Sequence, residues 1–421
     1  MVTLLKIYLI FAVIVIILYA IRHLIFAFNR LFAEQKQYYG DIYPSVYPSI
    51  SVLIPMYNEE KVLHNILDSL LACDYDADRL EIIPINDSST DRTRELLDAY
   101  HRKHPLIKPL HRTSTLRGKP AGLNDAMALA QGEIILVFDA DYRPARHMLK
   151  HLALAFLNPE VGAVMGRVIP YNANVNLLTR LLSLERAGGY QADQQARYNL
   201  GTLPQYGGTV GGFRKALVLE SGGFNPAILA EDTELTFRLL VKGWKIVYAN
   251  SAECYEEVPE TWAVRSRQIR RWSRGHNSVA FRYLIPLLKA KGLRLREKVD
   301  GLFLLFVYAV PFIFVLSVVA SVILFFLGEM NIISAWWVFL FIGATNAFGN
   351  FAPFYQISAA LIIDGSANDA RLLHLMIFNF YYYLWYISRG FIDAIFDVFS
   401  KRTVQWAKTE RFNSEKRRVL R

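Results

Sequence analysis

Cysteine is nearly absent: Cys73 and Cys254 are the two in 421 residues, and they match no zinc-ligand spacing and make no disulfide framework. Internal repeats and low-complexity tracts are also missing. No small-residue cleavage site follows the first apolar run, so that run reads as an anchor rather than a removed signal peptide. Gly207-Gly208-Thr-Val-Gly211-Gly212-Phe213 is rich in glycine but fits neither the dinucleotide fingerprint nor the phosphate loop, because no Gly-Lys-Ser/Thr closes it. A phosphate cradle and a backbone that must approach a ligand closely are the two readings left, and the second needs glycine for its missing Cβ. Charged residues make up only 20% of the chain, against 53% hydrophobic, and the net charge is +10. Lys and Arg gather beside apolar segments, at Arg22 and Arg30, from Lys289 to Lys298 and from Lys401 to Arg421, which is the pattern of cytoplasmic juxtamembrane cations rather than of a nucleic-acid surface.

The apolar excess lies at the two ends. Leu4 to Phe28 is interrupted only by Lys6, Arg22 and His23, and is long enough to cross a hydrocarbon core of roughly 30 Å as a helix. Gly301 to Leu327, Ile332 to Ile363 and Leu372 to Phe399 are further candidate spans. The expected organisation is a transmembrane helix over residues 1–30, a cytosolic domain over 45–298, transmembrane helices over 299–400 and a basic cytosolic tail over 401–421. This makes a multi-pass protein of the plasma membrane. An inside tail requires an even number of C-terminal crossings. Counting Ile332 to Ile363 as two short ones, broken around Gly349 to Pro353, gives four; counting it as one puts the tail outside or lays another segment in the interface.

Within the middle region, short apolar runs alternate with helical patterns. Ser51 to Ile54 leads into Pro55-Met-Tyr57-Asn58-Glu59-Glu60 and a helix from about Lys61 to Leu71; Glu81 to Ile85 leads into Asn86-Asp87-Ser-Ser-Thr90-Asp91 and a helix from Arg92 to His101. A helix from Lys119 to Ala130, ended by Gly132, precedes the run Glu133 to Phe138, which carries Asp139 and Asp141. This alternation predicts an α/β fold with a doubly wound, mostly parallel sheet whose carboxyl edge bears Asp87, Asp139 and Asp141, where such sheets bind ligands. Clustered carboxylates repel unless a cation lies between them, and hard oxygen donors suit Mg²⁺ or Mn²⁺ carrying a diphosphate. Leu177 to Gln195 reads equally as a helix on the membrane surface or one packed on the domain. Glu231-Asp232 opens a helix to Lys242, where capping is the competing explanation. The stretch Arg265 to Arg274, containing Gln268-x-x-Arg271-Trp272, suits either an anionic diphosphate or lipid headgroups, with Arg265, Arg267 and Arg274 placed on the headgroups.

Taken in order, Pro55-x-Tyr57-Asn58-Glu59-Glu60, Asn86-Asp87, Gly118-Lys119-x-x-x-Leu-Asn124, Asp139-x-Asp141, Glu231-Asp232 and Gln268-x-x-Arg271-Trp272 resemble the family 2 inverting glycosyltransferases, in particular the membrane synthases of cellulose, chitin, hyaluronan and poly-N-acetylglucosamine. The resemblance covers roughly residues 48 to 280. It implies a GT-A-like domain using a UDP-sugar, UDP-N-acetylglucosamine or UDP-glucose. Asp87, with Pro55, Tyr57 and Glu59, would form the nucleotide pocket; Lys119 would support a phosphate or the acidic pair. Asp139 and Asp141 would hold the metal against the diphosphate, Asp232 would be the general base with Glu231 orienting it, and Gln268, Arg271 and Trp272 would support the acceptor and diphosphate. Ala230 stands where the family usually has Thr. Trp406, Thr409 and Arg411 are similar to elements that some of these synthases place over the donor, a basic anchor being the other reading of that tail. The implied activity is processive polymerisation with translocation. The alternatives are a single transfer to a membrane-lipid acceptor, a non-catalytic nucleotide or carbohydrate sensor, and, more remotely, a transporter.

Overall fold

The computed structural model describes residues 1–36, 44–329 and 351–400. Strands β1 (Ile50–Met56), β2 (Leu80–Asn86), β3 (Leu110–His111), β4 (Ile134–Val137), β5 (Arg143–Pro144), β6 (Val161–Pro170), β7 (Gly211–Arg214) and β8 (Lys245–Glu256) form one sheet in the order β3-β2-β1-β4-β7-β6-β8-β5. The first four strands of that order run parallel, β7 is antiparallel to both its neighbours, and β6 and β8 are again parallel. Around the sheet lie α2 (Leu63–Leu71), α3 (Thr93–Lys103), α4 (Lys119–Leu129), α5 (Met148–Ala153), α6 (Leu177–Arg186), α7 (Gln195–Leu200), α8 (Lys215–Glu220) and α9 (Glu231–Val241), with α1 (Val2–Phe32) preceding them. The chain ends in α10 (Trp262–Lys289), α11 (Leu295–Phe306), α12 (Val310–Phe326), α13 (Phe351–Ile363) and α14 (Met376–Ser400).

Both faces of the sheet are covered, which is why its strands read as unbroken apolar runs. Alternate residues of β1 go to opposite sides. Val52 and Ile54 pack with Leu63, Ile66 and Leu70 of α2, whereas Leu53 joins Ile83, Ile135, Leu123 and Met127 on the face that α4, α9 and α10 cover. β1 leads to β2 on one side and has β4 on the other, so the crevice between the ends of β1 and β4 is the topological switch point.

Three local readings are revised or decided between. The glycine-rich stretch is half strand: Gly211 and Gly212 lie in β7 between β4 and β6. A Cβ on Gly212 would fall 2.2 Å from the Ile135 carbonyl oxygen, so the close approach that demands glycine is to the sheet itself. The region from Leu177 to Gln195 packs on the protein: α6 buries Leu178, Leu181, Leu182 and Leu184, then continues as a π-helical stretch over Ala187–Gln194 into α7. Arg265 is 1% exposed rather than facing headgroups. Arg270 and Arg274 pair with Asp393 and Asp397 on α14, each at 2.6 Å, while Arg267 remains exposed.

The expected spans are met in part. Among the described residues α1 alone is long and apolar enough to cross a membrane, and α11 and α12 would make a second such segment together but bend by 67° at their junction. α13 is short, and α14 carries the charges paired with α10. Residues 330–350, within the expected run from Ile332, and the tail with Trp406, Thr409 and Arg411 lie outside the described residues. Replacing Gly212 by Ala should destabilise the protein by about 3 kcal/mol through overpacking. Gly189→Ala, whose added methyl meets nothing within 4 Å, should stay within about 0.5 kcal/mol; thermal unfolding of the two variants side by side measures the difference.

Candidate active site

The carboxyl ends of β1, β2 and β4 open into a cavity of about 1730 Å³, bordered by Pro55, Tyr57, Glu59, Asp87, Lys119, Asp139, Glu231, Asp232, Gln268, Arg271 and Trp272. Every predicted site residue except Asp141 therefore meets in one place. Asp141 does not border the cavity and lies beneath its wall, 1% exposed.

At the centre is Lys119, in the first turn of α4. Its Nζ donates to Asp139 Oδ1 and to the Gly208 carbonyl, both at 2.9 Å, and stands 3.7 Å from Glu231 Oε1. Burial would lower the pKa of this ammonium, but Asp139, Glu231 and Asp232 outweigh it and raise the value above the ordinary lysine range. One cation thus faces three carboxylates. Burial pushes Glu231 up to about 7, with Asp232 and Asp139 adding and Lys119 opposing. Asp232 is raised as well, chiefly by burial, against the backbone N–H of Thr233 that donates to its Oδ1 at 2.6 Å. Both carboxyls occupy the first turn of α9, where the helix dipole favours charge; desolvation prevails over it.

The backbone side of Asp232 is set by Gly208, whose φ is +73°. A Cβ there would lie 2.8 Å from the Asp232 Cβ and 3.0 Å from its Oδ2. Behind Thr233 is His276, buried and pushed down to about 4 by desolvation. Its Nε2 lies 2.7 Å from the Leu304 carbonyl, which can only accept, so the proton is on Nε2 and Nδ1 is left to accept from Thr233 Oγ1 at 3.5 Å.

Asp87 borders the cavity and also has a structural load. Arg112 donates to its Oδ1 and the Gly118 N–H to its Oδ2 at 2.8 Å, so both oxygens hold the 112–118 loop in place. Arg112 also reaches Asp125 at 2.8 Å. No motif marks Arg112 or His276 in the sequence, and the glycine-rich stretch does not single out Gly208 within it; their roles come from neighbours far away in the chain.

The donor set suits a divalent cation. Asp139 offers a hard oxygen to the cavity, and the carboxylate excess around Lys119 is charge that Mg²⁺ or Mn²⁺ would balance. Among the described residues no three His, Cys, Asp or Glu side chains are arranged to hold a metal ion by themselves, so the protein supplies few ligands, as in sites where substrate phosphates and water complete the shell.

A parallel-dominated sheet with this carboxylate edge is a GT-A-like architecture, and the chain is a glycosyltransferase. It belongs to glycosyl transferase family 2, whose pattern matches residues 51–219. A probable glycosyltransferase of Bacillus subtilis, YdaM, is 31% identical over 380 residues, 88% of each chain. A beta-monoglucosyldiacylglycerol synthase of a Nostoc species is 33% identical over 290 residues, 68% of this chain and 61% of the relative. Among solved structures, a mannosyltransferase of Pyrobaculum calidifontis in complex with GDP-Man and Mn²⁺ superposes with a TM-score of 0.56 at 22% identity, over 86% of this chain and 98% of that one, and shares the fold.

Gly208→Ala should cut the rate of sugar transfer about a hundredfold by displacing the Asp232 carboxylate at the cavity, the usual cost of a shift of about 1 Å within a site. Alanine is also strained at this positive φ, so the unfolding temperature should fall, and steady-state kinetics run well below the melt separates the two effects.

Proposed function

We propose that the protein transfers a hexose from a UDP-sugar, UDP-glucose or UDP-N-acetylglucosamine, to the hydroxyl of a membrane-lipid acceptor in one inverting step. The observation that carries this reading is the continuity of the cavity. From the carboxylates it runs between Ile16 and Tyr19 of α1, Phe303 of α11, Phe314 of α12, Phe354 of α13 and Phe380 of α14. An apolar chamber opening onto a polar reaction site fits a molecule with acyl chains and one hydroxyl head. The likeness to a synthase named for a glucosylated diacylglycerol supports the same acceptor class.

In this reading Pro55, Tyr57, Glu59 and the Asp87–Arg112 loop hold the nucleotide. Lys119 and Asp139, with Asp141 beneath, hold the diphosphate and its cation. A bound Mg²⁺ or Mn²⁺ supplies charge neutralisation for the leaving group. Asp232 takes the proton from the acceptor hydroxyl, whose oxygen forms the new bond at the anomeric carbon. The bond from that carbon to the phosphate oxygen breaks, and the electron pair leaves on UDP. Glu231 keeps the local charge low enough for Lys119 to serve both carboxylates, and Gln268, Arg271 and Trp272 line the acceptor side. Residues 45–298 form the cytosolic catalytic domain, residues 1–30 the anchoring helix, and 299–400 the helices around the acceptor chamber, with the basic 401–421 tail on the same side of the membrane as the catalytic domain. Polymerisation is the second reading, favoured by a probable glucomannan 4-beta-mannosyltransferase of rice, 27% identical over 67% of this chain and 51% of the relative.

Purified protein with Mn²⁺, UDP-glucose or UDP-N-acetylglucosamine, and diacylglycerol should yield a single glycolipid; a ladder of polymer lengths would replace this proposal with the second reading. Asp139→Asn and Asp232→Asn should each lower turnover at least about a hundredfold, and chelation with EDTA should stop it. Near-normal turnover of Asp232→Asn would remove Asp232 as the base.

The rate should rise with pH as Asp232, raised above the ordinary carboxylate range chiefly by burial, loses its proton. Stability should move the other way: the folded form holds a proton on Glu231 that the unfolded form releases near 4.5, so stability contributed by this group falls as pH rises from there through about 7. A pH–rate profile set against a pH series of melts tests the two signs together.

A further inference from the structure

Trp272 contributes an aromatic side chain to the wall of the cavity, and two guanidinium groups lie against its indole. The Arg265 carbon Cζ is 4.9 Å from the ring and that of Arg186 is 5.3 Å from it. Each guanidinium is in turn held by a carboxylate. Arg265 pairs with Glu185, and its Nε donates to the Tyr383 hydroxyl at 2.8 Å. Arg186 pairs in bidentate fashion with Glu256, its Nη2 at 3.3 Å from Oε2. Glu185 and Arg186 are consecutive at the end of α6, so one helix terminus supports both guanidinium contacts to the ring. Glu256 ends β8 and also accepts from the Tyr142 hydroxyl at 2.9 Å. Tyr142 follows Asp141 directly.

The Arg265 side of this arrangement is internal to the helices: Arg265 also donates to Gln268, one turn earlier than Trp272 on the same helix. The Arg186 side is different, because it connects separate parts of the fold. Arg186 and Glu256 border the cavity, yet neither contributes an open charge to it, since each neutralises the other. A planar guanidinium locked by two hydrogen bonds is a rigid surface on which an indole can rest. That leaves the pair a different job from binding the diphosphate.

We infer that Arg186 and Glu256 act as one positioning unit, fixing the Trp272 ring for the acceptor and tying it through Tyr142 to the loop that carries Asp139 and Asp141. Neither residue belongs to the motifs that mark the family in this chain. Removing either partner frees the ring and leaves the other charge buried without its counter-ion, so the two single losses have the same consequence. The inference rests on the reading of Trp272 as part of the acceptor wall.

The test uses the full chain in nanodiscs with Mn²⁺, UDP-glucose and diacylglycerol, comparing Arg186→Gln, Glu256→Gln, the double variant and Arg186→Lys. Each Gln variant should raise the acceptor KM about tenfold with kcat and the affinity for UDP within about threefold, and the double variant should be no worse than the poorer single one, because partners in one unit are not additive. Arg186→Lys keeps the charge and loses the planar bidentate fit, so it should fall between the parent and Arg186→Gln. An equal loss of UDP affinity, or additive singles, would overturn the unit. Acrylamide quenching of Trp272, taken as the difference between each protein and its Trp272→Phe counterpart, needs no acceptor. It should increase in both Gln variants, and unchanged quenching also overturns the inference. Absence of glycolipid with increased quenching would refute the lipid-acceptor reading while the clamp on Trp272 stands.

Discussion

Everything at the site depends on one buried ammonium among carboxylates. Lys119 faces Asp139, Glu231 and Asp232, and it cannot neutralise all three. The remaining negative charge has two outlets: protonation, seen in the upward shifts of Glu231 and Asp232, and a divalent cation, for which Asp139 offers a hard ligand. A carboxyl raised above its ordinary range, as Asp232 is, is also what general-base chemistry calls for. The electrostatic frustration at the edge of the sheet and the proposed chemistry are therefore two aspects of the same arrangement.

The fold makes that arrangement affordable by spending its apolar residues elsewhere. With both faces of the sheet buried, polar side chains are confined to strand ends, and the switch between β1 and β4 gathers them. β7 then brings the Gly208 turn against Asp232, and its own glycines let three strands approach closely. α10 serves two structures at once: Val279 and Tyr283 belong to the sheet's core, while Ile269 packs on Tyr383 and Ile387 of α14. The same helix thus carries Trp272 to the boundary between the polar site and the apolar chamber.

What could be read along the chain was local. Strands β1, β2 and β4 declare themselves as apolar runs, and the residues just beyond them must lie at the carboxyl edge, so Asp87 and Asp139 were placed correctly from pattern alone. Errors arose where a side chain's neighbour is remote. Arg265 looks like a headgroup-facing cation until Glu185, some eighty residues earlier, and Tyr383 are seen to enclose it. Asp87 borders the cavity as its position predicts, but that Arg112 and Gly118 hold its oxygens is seen only in the fold. Asp141 is spaced as an equal of Asp139, but the turn sends one carboxylate into the cavity and the other beneath its wall.

The sequence by itself determined the alternation of strands and helices, the family and which residues are candidates for the site, because these depend on residue type and on spacing of a few residues. Only the tertiary structure decided which carboxylates share Lys119, that the glycines of β7 answer to Ile135 rather than to a ligand, and that the polar site and the apolar helices enclose one cavity. Those outcomes depend on distances between segments from about twenty to more than a hundred residues apart, which burial and backbone packing set and no local pattern encodes.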